Sequence, residues 1–418
     1  MNKIEKLIVR AEEELKDAFS RIEVNEAFRT ALILDLFRKH GVSYRHFAPS
    51  TGYGYDDIGR DTLERIYADL FHTEAALMRP HVASGTAALS LTLFGMTRPG
   101  DKIISATGMP YDTLQGVIGT GTVTPAGSLK EMGVRFECVD LRDGRIDVNA
   151  VEKAIDKNTS LVIAQRSRGY AWRPSLFPED FEELADMIHV QHPGITLMVD
   201  NCYGEFVCKD EPTDYGADLC VGSLIKNPGG GIAPTGGYVT GRKEMIERIA
   251  GRLTAPGLGR EIGSYESSYR PFYQGLFMAP HTVAQALKTA MLASRIFENL
   301  GLETIPSSTE THADIIQAIK LQTPERLVAF CQGIQAASPV DSMAMPEPWD
   351  MPGYEDQVVM AAGTFVAGAS IELSADGPMR PPYTAYMQGG LTYIHGRIAL
   401  GEALKRMTET GALKLPES

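Results

Sequence analysis

Lys226 is the side chain in this sequence with the clearest chemical potential. It ends the apolar run 219–225 and is followed by Asn227, Pro228 and three consecutive glycines. A lysine that ends a buried strand is rare without a role. We expect burial and nearby cations to lower its pKa, which would make its amine nucleophilic enough to form a Schiff base. The alternative is a strand-end lysine whose head reaches water, but the glycines, which permit close backbone approach, favour the chemical role.

A second motif, ASGTAA at residues 83–88, follows an apolar run and opens a helical stretch. The small residues around Ser84, Gly85 and Thr86 let the backbone approach an anion, and the free N–H groups of a helix start point toward it. Thr86 adds a hydroxyl group. A serine or threonine at the start of a helix is also an ordinary cap, so this loop alone leaves phosphate binding and capping both open.

Two more side chains lie where apolar runs end. Asp200 closes the run TLMVD and is either a helix cap or a carboxylate of a functional site. Tyr111 heads a helical stretch after the run at 102–107, and its ring is either a stacking surface for a flat ligand or part of the core.

An alternation of apolar runs and helical stretches must position these residues. The strand-like runs are 75–83, 102–107, 134–140, 160–166, 196–201, 219–225 and 236–241, and the helical stretches are 86–96, 111–118, 147–155, 178–190 and 243–252. Such alternation predicts an α/β fold with a mostly parallel seven-stranded sheet between helices. Ligands in such folds bind at the carboxyl ends of the strands, where all four features lie.

The two ends of the chain have a different pattern. Helical spacing at 4–20 and 25–39 is followed by a glycine- and tyrosine-rich break at 50–57, which suggests an arm that docks on something. Helices at 281–298, 323–335 and 394–407, with strand-like runs at 357–373, predict a smaller α+β domain. We therefore predict an N-terminal helical arm (1–55), a large domain (56–290) and a small C-terminal domain (291–418).

Composition and charge exclude several classes of protein. The net charge of −13 gives no basic surplus for nucleic acid. The N-terminus lacks the apolar core of a signal peptide, and no run of about 18 apolar residues predicts a membrane span. Five cysteines without framework spacing predict free thiols and a cytoplasmic location. His189 and His192 lack further ligands nearby, so we predict no metal site.

The order of these features resembles fold-type I enzymes that depend on pyridoxal 5′-phosphate (PLP), in the cystathionine and methionine lyase group. The match is good over residues 50–290. The stretches QRSRGY (165–170), VDNCYGEF (199–206), GSLIKNPGGGIAPTGGY (222–238) and ELSADGPMRPPYTAYMQGGLTYIHGR (372–397) are similar to a bacterial branch known as methionine gamma-lyase-like or aluminium-resistance proteins.

The resemblance implies a PLP cofactor and a role for each residue of the site. The residues implied to hold the cofactor are Ser84, Gly85, Thr86 and Ser223 at its phosphate, Asp200 at its pyridine nitrogen, Tyr111 against its ring, and Lys226 as the Schiff-base lysine. Subunits in this family share active sites, which implies a homodimer or homotetramer. Tyr53 and Tyr55 are the candidates lent to a neighbour's phosphate, with Arg60 nearby, unless the tyrosines only hold the arm.

The substrate implied is a small amino acid, and a guanidinium is the suitable partner for its carboxylate. Arg380 is the first candidate. Arg166 and Arg173 are rivals, and the alternative for each is a surface charge.

The resemblance further implies a carbon–sulfur lyase, in which Lys226 removes the Cα proton and Tyr111 protonates the leaving sulfur group. The products would be a keto acid and ammonia. Three departures from these lyases bear on the substrate. Ile225 replaces a threonine before the lysine, residues 112–114 replace Gly-Gly-Thr after the tyrosine, and residues 165–168 replace an asparagine-containing loop.

Other functions remain open from the sequence. An aldolase, racemase or transferase reaction needs the same cofactor contacts. A nucleotide-binding dehydrogenase is less well supported, because no G-x-G-x-x-G follows the first strand. A non-catalytic interaction protein with the PLP fold is a fourth possibility.

Overall fold

The chain forms two compact units in a computed structural model that describes residues 2–121, 124–351, 354 and 356–416. The first unit comprises residues 1–29, 168–175 and 278–418, and the second comprises 30–167 and 176–277. This division differs from the predicted one, since the N-terminal residues group with the C-terminal part and the boundary falls before residue 278.

Between residues 75 and 253 the helices and strands follow the predicted alternation. The helices are α1 (Lys3–Glu14), α2 (Lys16–Lys39), α3 (Ile58–Leu70), α4 (Gly85–Met96), α5 (Asp112–Ile118), α6 (Val148–Ala154), α7 (Glu182–Gln191), α8 (Lys243–Leu253), α9 (Arg270–Asn299), α10 (Pro324–Ala336) and α11 (Tyr393–Glu409). The strands are β1 (Ala75–Arg79), β2 (Lys102–Ser105), β3 (Arg135–Cys138), β4 (Thr159–Gln165), β5 (Thr196–Asp200), β6 (Leu219–Ser223), β7 (Gly237–Gly241), β8 (Thr304–Ile305), β9 (Ile316–Lys320), β10 (Val358–Ala361), β11 (Ser374–Pro378) and β12 (Thr384–Gln388).

A seven-stranded sheet forms the centre of the second unit, in the order β1-β7-β6-β5-β4-β2-β3. Strand β7 runs antiparallel to β1 and β6, and the other neighbours are parallel. Each strand overlaps one of the seven predicted runs, and only β4 begins one residue before its run, so the predicted α/β fold with a mostly parallel sheet is confirmed.

The apolar runs form strands because both faces of this sheet are covered. Along β4, Leu161 and Ile163 belong to one buried cluster with Leu89 of α4, whereas Val162 belongs to a second cluster with Leu184 of α7. Adjacent residues of a strand point to opposite faces, so a continuous apolar run satisfies both layers.

The first unit contains a five-stranded antiparallel sheet in the order β10-β11-β12-β9-β8. The predicted α+β character is confirmed. Ile8 and Ala11 of α1 and Leu15 lie in the same buried cluster as Phe330 and Leu404. The N-terminal helix therefore belongs to this core and is not a separate arm. No helix among the described residues is long and apolar enough to cross a bilayer.

Candidate active site

The carboxyl ends of three parallel strands bring the candidate residues of the second unit together. Gln165 at the end of β4 pairs with Asp200 at the end of β5, and Asp200 pairs with Val221 of β6. Ser223 ends β6, and Lys226 follows it three residues later. One edge of the sheet therefore presents the aspartate and the lysine that the sequence singled out.

Gly85, at the start of α4, faces this edge directly. A Cβ atom on Gly85 would lie 3.3 Å from Ser223 Cβ, 3.4 Å from Cys202 Sγ and 3.8 Å from Lys226 Nζ. The missing side chain therefore keeps a space open between the helix start and the lysine. Ser84 caps the helix, since its Oγ accepts a hydrogen bond from Ala87 N at 3.1 Å.

Tyr111 is fixed beside this space at two points. Its hydroxyl oxygen lies 3.0 Å from Thr86 Oγ1, which in turn lies 3.1 Å from Thr113 Oγ1. Its backbone N–H donates to Gln165 Oε1 at 3.3 Å. Burial, reinforced by Asp200, raises the pKa of Tyr111 far above its usual value, so the hydroxyl keeps its proton at neutral pH.

Asp200 is almost completely buried. Burial raises the pKa of its carboxyl group above the usual value, and this effect exceeds the opposing influence of Lys226 and of the Cys202 N–H, which donates to Oδ1 at 3.1 Å. A carboxylate that is desolvated in this way gains from a cationic hydrogen-bond donor.

The electrostatic expectation for Lys226 was wrong. Burial alone would lower the pKa of its amine, but Cys202, Tyr203, Asp200 and Tyr111 raise it, and the balance lies well above the usual value. The ammonium nitrogen lies 4.1 Å from the centre of the Tyr203 ring, a cation–π contact. The chain therefore surrounds this amine with groups that favour its charged form rather than with the expected cations.

These residues fit a phosphate-bearing aldehyde with a flat, basic ring. The glycine space at the α4 start suits a phosphate, because the first amides of a helix lack partners within it. A buried carboxyl group, a lysine amine and a tyrosine ring border the same region. Seven of the predicted site residues therefore lie along one edge of the sheet: Ser84, Gly85, Thr86, Tyr111, Asp200, Ser223 and Lys226.

Tyr53 and Tyr55 lie at the surface of the second unit. Their side chains are 63% and 59% exposed, and their rings stack on each other with centroids 5.5 Å apart. Arg60 is buried instead, and its Nη1 donates to the carbonyl oxygen of Gly54 at 2.8 Å. The two tyrosines are open to a partner, whereas Arg60 holds the loop that carries them.

The arginines proposed for the substrate have other partners. Arg166 is completely buried, and its Nε, Nη1 and Nη2 donate to Leu176 O at 3.1 Å, Asn201 Oδ1 at 2.8 Å and Cys208 Sγ at 3.4 Å. This placement corrects the assignment of Arg166, because all three nitrogens of its guanidinium are paired inside the protein. In the first unit, Arg380 is 52% exposed and pairs with Asp356 at 2.8 Å.

Sequence reasoning missed two residues of this edge. Gln165 holds the Tyr111 backbone, and Cys202 lies next to Asp200 and Gly85. Gln165 could have been found from the sequence, because it ends an apolar run, β4, next to the strand that ends at Asp200. Cys202 had none, since a buried thiol is commonplace in a core.

The seven-stranded, mostly parallel sheet together with the five-stranded antiparallel sheet is the fold of type I PLP-dependent proteins. The chain belongs to the methionine gamma-lyase family, whose sequence pattern it matches over residues 4–408. It is 49% identical over 407 residues to the uncharacterized protein YnbB of Bacillus subtilis strain 168, which covers 97% of each chain.

Solved structures agree with this family. A carbon–sulfur lyase involved in aluminum resistance from Clostridium novyi NT is 48% identical, has a TM-score of 0.93 and covers 97% of this chain and 96% of that one. The PLP-dependent protein YhfS from Escherichia coli has a TM-score of 0.62 at 15% identity, covering 93% of this chain and 97% of that one. The latter similarity concerns the fold alone.

Proposed function

We propose that this protein is a PLP-dependent carbon–sulfur lyase that cleaves a sulfur amino acid, with one water molecule, to a thiol, a keto acid and ammonia. The observation that carries the proposal is the closeness of three residues at the sheet edge. Ser223 Cβ and Lys226 Nζ both lie within 4 Å of the point that a Cβ atom on Gly85 would occupy. Membership of the methionine gamma-lyase family supports the type of reaction.

The chain's own residues would hold the cofactor as follows. The start of α4, from Ser84 to Thr86, and the Ser223 hydroxyl would bind the phosphate. Asp200 would face the ring nitrogen, and Tyr111 would stack on the ring. When bound, PLP supplies an aldehyde that joins to an amine and a ring that takes up the electron pair left at Cα.

Two side chains would move protons. Lys226 Nζ would accept the Cα proton of the amino acid, since it is the amine at the centre of this edge. Tyr111 would donate its hydroxyl proton to the leaving sulfur, a role supported by the raised pKa that keeps this proton in place at neutral pH. Thr86 Oγ1, 3.0 Å from the Tyr111 oxygen, would hold the hydroxyl in position.

We further propose a homodimer or homotetramer with shared sites. The exposed, stacked pair Tyr53 and Tyr55 would reach the phosphate site of a neighbouring subunit. Their exposure supports this proposal, because large aromatic side chains at a surface are typical of interfaces.

Product analysis tests the proposed reaction. The PLP-loaded protein is mixed in turn with L-cysteine, L-cystathionine and L-methionine, and the keto acid is identified by mass spectrometry. From cystathionine, β-elimination yields the three-carbon keto acid and γ-elimination yields the four-carbon one, so one substrate separates the two reactions.

The matched variant for this assay is Asp200→Ala. We expect it to lower turnover on the order of 10²-fold, because the buried charge that stabilises the reacting ring is lost, and to weaken cofactor retention. Absence of keto acid from all three substrates would reject the lyase and leave an aldolase, racemase or transferase reaction on the same cofactor. Unchanged turnover in Asp200→Ala would reject the role of the aspartate.

A further inference from the structure

Tyr203, in the loop that follows β5, has a backbone conformation that aromatic residues seldom adopt. Its φ angle is +73°, and Phe206 in the same loop has a φ angle of +64°. Residues other than glycine are uncommon in this left-handed region, and a bulky residue stays there only when its surroundings compensate for the strain. Contacts with the rest of the second unit must therefore hold this loop in shape.

Asn227 provides such a contact, and it does so from the segment that carries Lys226. Its side chain is completely buried, and Nδ2 donates to the carbonyl oxygens of Tyr203 and Glu205, both at 3.0 Å. Asn227 is the residue directly after Lys226, so one amide group ties the lysine to the Tyr203 loop. The relative position of lysine and tyrosine is thus fixed by hydrogen bonds to the backbone.

The result of this tie is a contact between the lysine amine and the face of the tyrosine ring. Lys226 Nζ lies 4.1 Å from the centre of the Tyr203 ring. Within the described ranges of the chain, Nζ makes no hydrogen bond or ion pair. The face of an aromatic ring carries partial negative charge, and its attraction for an ammonium group increases where water is excluded. The ring therefore occupies the place of a counter-ion.

The other ionisable groups around Lys226 are less suited to stabilise its charge. The groups that interact with this charge are Tyr111, Asp200, Cys202, Tyr203 and Glu205. Burial raises the pKa of the Tyr111 hydroxyl and of the Cys202 thiol far above neutral, and raises that of Glu205 to about 8, so these three are mostly uncharged at neutral pH. Asp200 is the partner proposed for the cofactor ring.

We propose that Tyr203 is a positioning residue for Lys226, whose ammonium group the ring face binds and holds beside the space at Gly85. This proposal rests on the proposed function, in which Nζ gains the Cα proton while the electron pair of the C–H bond stays behind. The ring stabilises the ammonium group formed in this step, which makes Lys226 a stronger base. Nζ lies 3.8 Å from the Cβ position of Gly85, so an amine held there remains within the site.

The test measures the reactivity of Lys226 without substrate or turnover. The full-length protein, freed of cofactor, is treated briefly with acetic anhydride at a series of pH values. Acetylation of Lys226 is then quantified by mass spectrometry relative to Lys157, an exposed lysine of the same unit, in the same digest. Because only the neutral amine attacks the anhydride, the rate reports how strongly the protein favours the ammonium form.

Loss of the ring should make the lysine more reactive. We expect Tyr203→Leu to increase the acetylation of Lys226 at neutral pH by roughly 3- to 30-fold, because the neutral amine becomes easier to form. Tyr203→Phe is the matched control, since it keeps the ring face and removes only the hydroxyl group. Its rate should stay within about 2-fold of wild type.

Fluorinated phenylalanines at position 203 separate the charge of the ring from its shape. Each added fluorine withdraws electron density from the ring face, so acetylation of Lys226 should rise stepwise from Tyr203→Phe through rings with one, two and three fluorine atoms. A purely structural role would give no such trend, because the packing of these rings is nearly the same. The series also keeps the proposal testable if Tyr203→Leu does not fold.

Three outcomes would overturn the proposal. They are an acetylation rate that does not depend on fluorination, an unchanged or slower rate in folded Tyr203→Leu, and a rate in Tyr203→Phe that rises as much as in Tyr203→Leu. If the fluorine trend holds while the keto-acid assay fails, only the lyase reaction is rejected, because acetylation needs neither cofactor nor substrate. The two claims are therefore separable.

Discussion

Two groups of buried or half-buried charges in the second unit differ in how many of their polar atoms have partners within the protein. The arginine–glutamate cluster consists of Arg60, Glu64, Arg79 and Arg260. Arg79 donates from Nε to Glu64 at 2.8 Å, from Nη1 to Ile262 O at 2.7 Å and from Nη2 to Arg260 O at 2.8 Å. All three nitrogens of this buried guanidinium are thus paired within the chain.

The lysine–aspartate pair, Lys226 and Asp200, has far fewer partners. Lys226 Nζ makes a cation–π contact with Tyr203 but no hydrogen bond or ion pair among the residues that the structure describes, and Asp200 accepts from Cys202 N. Burial alone therefore does not mark a functional charge. The two groups differ in that Lys226 and Asp200 keep hydrogen-bonding capacity for a ligand, whereas the nitrogens of Arg79 are all paired within the protein.

Removing the amine of Lys226 is expected to have the largest effect. Lys226→Ala should reduce turnover by about 10³-fold or more, because both the nucleophile and the base are lost. The free energy of unfolding should fall by less than the about 3–5 kcal/mol expected for Arg79→Ala, because Lys226 makes no hydrogen bond or ion pair with the described residues. Steady-state kinetics and urea denaturation check both parts. Turnover close to wild type in Lys226→Ala would show that the lysine–aspartate pair is not functional.

The arginine–glutamate cluster should behave in the opposite way. Arg79→Ala leaves the buried Glu64 carboxylate without its main partner, and we expect it to lower the free energy of unfolding by about 3–5 kcal/mol. Arg79→Lys, which keeps the charge, should cost less. Urea denaturation of both variants measures the difference, and stability equal to wild type in Arg79→Ala would show that the cluster is not structural.

Glu205 provides a finer, pH-dependent test. It is fully buried, Tyr238 donates to its Oε1 at 2.9 Å, and its Oε2 has no partner in the described part of the chain. Burial raises the pKa of Glu205 from 4.5 to about 8. The folded state therefore binds this proton more tightly than the unfolded chain, so this carboxyl group reduces stability as the pH rises from about 4.5 to 8.

Glu205→Gln removes the pH-dependent loss of stability and keeps a side-chain oxygen that can accept the hydrogen bond from Tyr238. Its stability relative to wild type should increase between about pH 5 and pH 9, by on the order of 2–4 kcal/mol. Thermal or urea unfolding at the two pH values measures the change. A difference that is the same at both pH values would contradict the assignment of a raised pKa to Glu205.

The sheet edge could be predicted from the sequence because its geometry follows from local patterns. Apolar runs set the strands, and parallel strands place their carboxyl ends together. Asp200 and Lys226 each end or follow such a run, so their proximity required no knowledge of distant contacts. Gly85 opens a helix directly after another run, and it lies at the same edge.

The arginines could not be predicted in the same way. Arg166 was a candidate for the substrate carboxylate, but its Nη1 donates to Asn201 Oδ1 inside the protein. Asn201 is 35 residues further along the chain, so this pairing depends on how the strands are brought together. The β11 strand of the first unit was missed for a local reason, since its sequence SADGP has low β-propensity.

The central claim is that Lys226 carries the cofactor, and borohydride reduction tests it most directly. The protein is loaded with PLP, reduced, digested and analysed by mass spectrometry, with Lys226→Ala treated in parallel. We expect one covalent pyridoxyl adduct on the peptide that contains Lys226, and none in the variant. An adduct on another lysine, or an unmodified Lys226 in protein saturated with PLP, would contradict the claim.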